Sequence, residues 1–172
     1  MIYPFKKTFT EKESQLIRFL SGIRVFERLS PDEISLFLPY LHLREFNQNE
    51  VIFFRNDPSQ AFYMIKSGRI SLNFEAEDDY EELTIVHEGN ALGDNALLLN
   101  TQRLYTAITV SEKAVLYVLP QVNILDLFEE NVEIKAKMMT SLSEQYNAYT
   151  QRIFREYRSS FGFFSLSQTM KD

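Results

Sequence analysis

The sequence predicts an α+β domain in which β structure dominates: a sandwich or barrel of short strands, with helices before it and a long helix after it. Three observations carry this. Residues 42–119 hold short runs rich in β-branched and aromatic residues ("EVIFF", "FYMI", "ISLNF", "LTIV", "TAITV", "AVLYVL"). Turn-forming stretches ("NQNE", "RNDPSQ", "KSGR", "EAEDDYEE", "VSEKA") separate them, and many short strands at roughly 8–12-residue spacing indicate a sandwich or barrel. Capped helix starts precede this region, and a 3.6-residue apolar period follows Pro120.

Near the N-terminus, Thr10 and Glu13 have capping-box spacing, and Leu16, Ile17, Phe19 and Leu20 lead to a stop at Gly22. Ser30, Pro31 and Glu33 mark a second helix start, which Pro39 is expected to end. The acidic "EAEDDYEE" reads as a solvated hairpin loop. After Pro120, "QVNILDLFEEN" is a short amphipathic helix, and residues 132–157 form a long one. On one heptad frame of that helix stand Val132, Met139, Leu142, Tyr146, Tyr149 and Ile153, interrupted near its ends by Lys135 and Glu156. Such a seam packs either on its own domain or on a second copy, and a homodimer through these six residues is expected. The tail, residues 158–172, lacks a helical period, and its Phe161, Phe163 and Phe164 dock on the barrel, on a partner, or nowhere.

Composition narrows the function. A chain of 172 residues with 45% hydrophobic and 24% charged residues is that of one globular domain. No run approaches the ~18 apolar residues of a membrane span, and the N-terminus lacks a signal-peptide core. The absence of cysteine suits a reducing compartment, so a cytoplasmic location is expected. A net charge of −6 without a basic stripe disfavours a nucleic-acid surface. His42 and His87 stand far from metal-ligand spacing and read as ordinary strand or loop residues. No nucleophile elbow, Walker loop or dinucleotide fingerprint occurs, so no residue constellation supports an enzyme and no cofactor is expected.

One stretch carries chemistry: "LGDNALLLNTQRLYTA". Gly93 permits close backbone approach, and Asp94 is placed to cap a short helix over 95–99. Arg103 follows at a strand start, where its fork matches two phosphate oxygens. Two structures fit this spacing: a corner that holds one phosphate, or a capped turn followed by an exposed arginine.

Gly93, Asp94, Asn95, Ala96 and Leu97, then Arg103 ten residues after the glycine and Thr106 beyond it, resemble the phosphate-binding cassette of cyclic nucleotide-binding domains. This is the family of bacterial catabolite activators and kinase regulatory subunits. The preceding "NQNEVIFFRNDPSQAFYMIKSGRISL" is similar to the family's first strands, with Asn49 and Asn56 in place of two glycines and Gly68 keeping a third. Both asparagines tolerate positive φ. "VFERLSPDEISLFLPYLHLREF" resembles the helical lead-in and "LPQVNILDLFEEN" the helix after the roll. The resemblance covers about residues 14–150.

The resemblance implies an eight-stranded β-roll (a jelly-roll barrel) with N-terminal helices and a long C-terminal helix, holding cAMP or cGMP. Residues 1–157 would be the domain: lead-in 10–40, roll 41–119, C-terminal helices 120–157. By the same resemblance Arg103 pairs with the cyclic phosphate and Asp94, in the family's glutamate position, accepts the ribose 2′-hydroxyl. Amides near Asn95 and Ala96 complete the cradle, and Gly93 allows the approach. The long helix lies over the base and in dimeric members forms the subunit contact. Asp94 is one methylene shorter than glutamate. Leu104 and Tyr105 replace small residues, and only one of the two can face inward on an alternating strand.

Relatives of the activator type follow the long helix with a DNA-binding motif, but about fifteen residues follow Tyr157 here. Direct DNA reading by this chain is therefore not expected. The expected function is a cyclic-nucleotide sensor whose C-terminal helices shift on binding. The alternative is a degenerate roll serving as a homodimeric or protein-interaction scaffold.

Overall fold

In the computed structural model of the chain, residues 8–76 and 79–161 are described. The tip of the acidic hairpin (77–78) and the tail phenylalanines Phe163 and Phe164 lie outside the described residues, as does the side chain of Phe161.

Eight strands form two antiparallel sheets, as predicted: β1 (His42–Asn47), β2 (Val51–Phe53), β3 (Ala61–Ser67), β4 (Arg69–Ala76), β5 (Asp79–His87), β6 (Ala91–Leu92), β7 (Thr106–Thr109) and β8 (Lys113–Pro120). One sheet runs β1-β8-β3-β6 and the other β2-β7-β4-β5. His42 and His87 are simply the first residue of β1 and the last of β5. Asn49 and Asn56 adopt φ of 66° and 67°, so they fill the turns where the family uses glycine. Gly68, at φ +95°, is pressed against Ala114, leaving no room for a side chain.

Both N-terminal capping boxes form. Thr10 and Glu13 close the start of α1 (Glu11–Ser21), and Ser30 and Glu33 that of α2 (Pro31–Ser35). α2 ends earlier than expected, and Pro39 lies inside a following 3-10 turn, Leu38–Tyr40. Proline lacks only an N–H that the first turn of a helix does not use, so it is accommodated there rather than acting as a stop.

The main core lies between the lead-in, the β1-β8-β3-β6 sheet and the C-terminal helices α3 (Gln121–Glu130) and α4 (Val132–Phe161). Phe26, Phe37 and Phe62 are fully buried in it, with Phe26 meeting Phe37 edge-on at 5.2 Å. A second core inside the roll contains Phe53, Ile65, Ile70, Leu116 and the flanking rings of Tyr63 and Tyr105.

The helical seam divides. Leu142 is buried in this chain's own core, so it is not free to meet a second copy, and Met139 and Tyr146 are partly buried against that core. Val132, Tyr149 and Ile153 remain exposed. A straight α-helix drifts about 20° per heptad from a 3.5-residue frame, so a stripe drawn on that frame leaves the core-facing side. The residues that α4 buries are Ile134, Met138, Ser141 and Leu142. Ion pairs Lys137–Glu33 (2.7 Å) and Arg28–Glu144 (2.7 Å) tie α4 to the lead-in.

Candidate functional site

The corner between β6 and β7 is built by short-range geometry. β6 pairs with β3 through Leu92 and Tyr63, and the chain then leaves the sheet at Gly93 with φ +72°. Gly93, not Asp94, occupies the cap position of a 3-10 turn over Asp94–Leu97. The Ala96 N–H donates to the Gly93 carbonyl at 3.0 Å, and buried Ala96 and Leu97 anchor the turn in the main core.

Asn95 is a structural staple. Its Oδ1 accepts from Ser59 Oγ at 2.8 Å, and its Nδ2 donates to the Gln102 carbonyl at 2.6 Å. These bonds fasten the turn to the loops on both sides. Arg103 lies in a loop three residues before β7 rather than at a strand start. Its backbone is fixed by the facing loop: its N–H donates to the Asp57 carbonyl at 2.8 Å, and its carbonyl accepts from the Asn56 N–H at 2.9 Å.

The guanidinium of Arg103 is not the exposed arginine that the spacing alone also allowed. Only 3% of the residue is accessible. Nη2 donates to the Ala61 carbonyl at 2.6 Å and Nη1 to the Gly93 carbonyl at 3.3 Å. Its Cζ stacks 4.2 Å from the centre of the Phe53 ring and 5.4 Å from that of Tyr63. Nε has no hydrogen-bond partner, and no carboxylate among the described residues pairs with the group. Burial lowers its pKa, an effect opposed by Tyr63, Tyr105, Asp57 and Asp94. An arginine nonetheless stays charged. The protein therefore holds a buried positive charge that bonds only to backbone carbonyls and stacks on rings, which favours any anion that can reach it.

Asp94 turns its carboxylate to α4, where Gln145 Nε2 donates to Oδ2 at 2.8 Å. Burial raises the Asp94 pKa above its ordinary value of 3.8, against the amides of Asn95 and Asp94, Tyr146 and the charge of Arg103. A raised carboxylate pKa means that the folded state holds the proton longer than the unfolded state does. Its contribution to stability is thus full below the unfolded pKa and is lost as pH rises through the folded one. Asp94→Asn removes this component while keeping an acceptor for Gln145. Wild type should lose stability relative to the variant as the pH of urea titrations rises from about 4 toward neutrality; parallel curves would contradict this.

Of the two residues after Arg103, Leu104 points out, 68% exposed, and Tyr105 points in. The Tyr105 hydroxyl accepts the Gly93 N–H at 3.2 Å, and its ring lies 5.8 Å from that of Phe53. Burial pushes its pKa up to about 12. Beside the turn lies a cleft of about 430 Å³ between the 3-10 turn Arg24–Phe26, residues 89–91 and α4. Asp94 forms one wall of it, with Arg24, Gln145, Tyr149 and Arg152.

The structure thus brings Gly93, Asp94, Asn95, Ala96, Arg103 and Tyr105 together and turns Leu104 away. Gln145, Phe53, Tyr63 and Ala61 belong to the same site, although the sequence pattern did not mark them. Gln145 precedes Tyr146 of the heptad seam, and a polar neighbour of an apolar stripe was the available signal. Among the described residues no cluster of His, Cys, Asp and Glu could hold a metal, and no helix is long and apolar enough to cross a membrane.

The family model described as "Cyclic nucleotide-binding domain" matches residues 43–131, more than half of the chain. Among curated proteins, the cyclic AMP receptor protein of Thermus thermophilus is 27% identical over 80% of this chain and 60% of its own length. The cGMP-dependent protein kinase egl-4 of Caenorhabditis elegans is 26% identical over 79% of this chain but only 17% of its own length. This chain therefore spans less than two thirds of the first relative and about a sixth of the second. Among solved structures, the sensor domain of the transcriptional regulator DNR from Pseudomonas aeruginosa has the same fold, with a TM-score of 0.68 at 21% identity. That likeness covers 91% of this chain and all of the other. With the cassette, the roll and the family match in agreement, the chain belongs to the cyclic nucleotide-binding domain family.

Proposed function

We propose that this chain is a regulatory module that takes cAMP or cGMP by its cyclic phosphate on Arg103 and relays the event to α4. The buried guanidinium carries this reading: it has no carboxylate partner, and one N–H is left unbonded. A phosphate would replace the carbonyls of Gly93 and Ala61 as acceptor with a full negative charge, a stronger partner for a fork.

The relay follows from Asp94. Its carboxylate is held by Gln145 of α4, so a ribose hydroxyl that claims it breaks the bond to the helix. Phosphate and sugar at these two residues direct the base toward the cleft that Tyr149 and Arg152 line. Loss of the Asp94–Gln145 bond then frees this part of α4 to move, biasing one of two helix positions. Here residues 1–157 act as one sensing domain without enzymatic activity.

The exposed end of α4 is the surface that would carry the signal. Residues 147–159 are all exposed, and Tyr149 and Ile153 keep the outward part of the seam. A second copy of the chain would cover them, and sedimentation should show dimers that dissociate on dilution. A monomer at every concentration contradicts that contact.

Calorimetric titration of the full chain with cAMP and with cGMP tests the sensor reading. A saturable heat for at least one is expected. No heat for either up to millimolar ligand rejects it and leaves the scaffold reading, which the filled interior of the roll favours.

A further inference from the structure

We infer that Tyr105 is a built-in plug of the nucleotide pocket: its hydroxyl occupies the amide of Gly93, the cassette glycine, and its ring fills the adjoining space beside Phe53 and Arg103. The inference rests on the sensor reading above and adds what sets the affinity of this chain.

The observations converge on one side chain. The Gly93 N–H is a donor that the chain leaves behind as it enters the left-handed turn, and the Tyr105 hydroxyl accepts from it at 3.2 Å. The ring stands 5.8 Å from Phe53, and Phe53 in turn stacks on Arg103 at 4.2 Å. Tyr63 closes the stack, 5.5 Å from Phe53. An incoming phosphate therefore meets a corner where, apart from Arg103 Nε, these donors are already bonded within the chain: the Gly93 amide to Tyr105, and the two Nη groups of Arg103 to carbonyls. Ligand entry must break these bonds and move a ring packed into the inner core. The free energy of that step lowers the apparent affinity by the fraction of molecules in which the ring is withdrawn. Leu104 takes no part, because its side chain is exposed.

The two halves of the plug separate by substitution. Tyr105→Phe deletes the hydroxyl and keeps the packed ring, so the fold is preserved. Tyr105→Ala empties the space as well. Titration of the full-length wild type and both variants with cAMP and cGMP should give about tenfold tighter binding for Tyr105→Phe. A gain of about 100-fold is expected for Tyr105→Ala. Amide exchange without ligand should show the Gly93 N–H protected in wild type and faster in Tyr105→Phe. If Tyr105→Ala proves too unstable to titrate, Tyr105→Phe decides.

Equal or weaker binding by Tyr105→Phe and Tyr105→Ala, with affinity still dependent on Arg103, overturns the plug and leaves the sensor reading standing. Absence of binding in all three proteins overturns both.

Discussion

Arg103→Ala should abolish cyclic-nucleotide binding at concentrations that saturate the wild type, a loss of at least about 100-fold. Truncating one partner of a buried, hydrogen-bonded charge pair costs about 2–5 kcal/mol, and each 1.4 kcal/mol is tenfold in Kd. The effect is expected at the high end, because only 3% of Arg103 is accessible and water cannot substitute for the missing donors. Arg103→Lys separates charge from geometry. It keeps the cation but not the fork that reaches both the Gly93 and Ala61 carbonyls, so an intermediate loss is expected. Calorimetry on the three proteins measures the series. Unchanged affinity in Arg103→Ala would remove Arg103 from the site.

Gly93→Ala should be the most damaging small substitution in the cassette. At φ +72° an alanine adopts the left-handed conformation at a cost of about 1–2 kcal/mol. Its Cβ would also overlap Nη1 of Arg103 and lie 3.1 Å from Cζ. The guanidinium cannot slide aside freely, since Phe53 and Tyr63 flank it. Displacement leaves the carbonyls of Gly93 and Ala61 without their donor, and each such loss costs about 1–3 kcal/mol. A total of at least about 3 kcal/mol, or a fall in Tm of about 10 °C or more in a thermal melt, is expected together with lost nucleotide binding. A variant as stable as wild type would show that Arg103 is not seated as described.

Features set by near neighbours were legible in the sequence. Two capping boxes, the positive-φ asparagines and the alternating apolar runs were all readable, because each depends on residues within one turn or one strand. The order of those pieces also pointed to the family. Features set by distant contacts were not legible. Alternation showed that Leu104 and Tyr105 must face opposite ways, but which one faces inward depends on Phe53 and Gly93. The heptad frame found a real apolar stripe, yet docking of α4 on the lead-in decided that Leu142 belongs to this chain's own core. Asp94 likewise reads as a cap until α4 is in place, when Gln145 claims its carboxylate.

These features share one physical pattern. The cassette closes on itself: the Gly93 amide bonds Tyr105, the two Nη groups of Arg103 bond carbonyls, and Asn95 bonds the loops on both sides, while Arg103 Nε is left without a partner. In the proposed sensor, binding would be an exchange of partners between two states: internal bonds in one, ligand bonds in the other, with α4 coupled through Asp94.

That exchange is best observed at the unbonded nitrogen. In the 15N–1H spectrum of the full chain, the Arg103 Nε–H resonance, assigned by its absence in Arg103→Lys, should move to the low-field position of a phosphate-bonded group as cAMP or cGMP saturates the protein. A nucleotide that binds while this resonance stays in place would contradict the assignment of Arg103 as the phosphate partner.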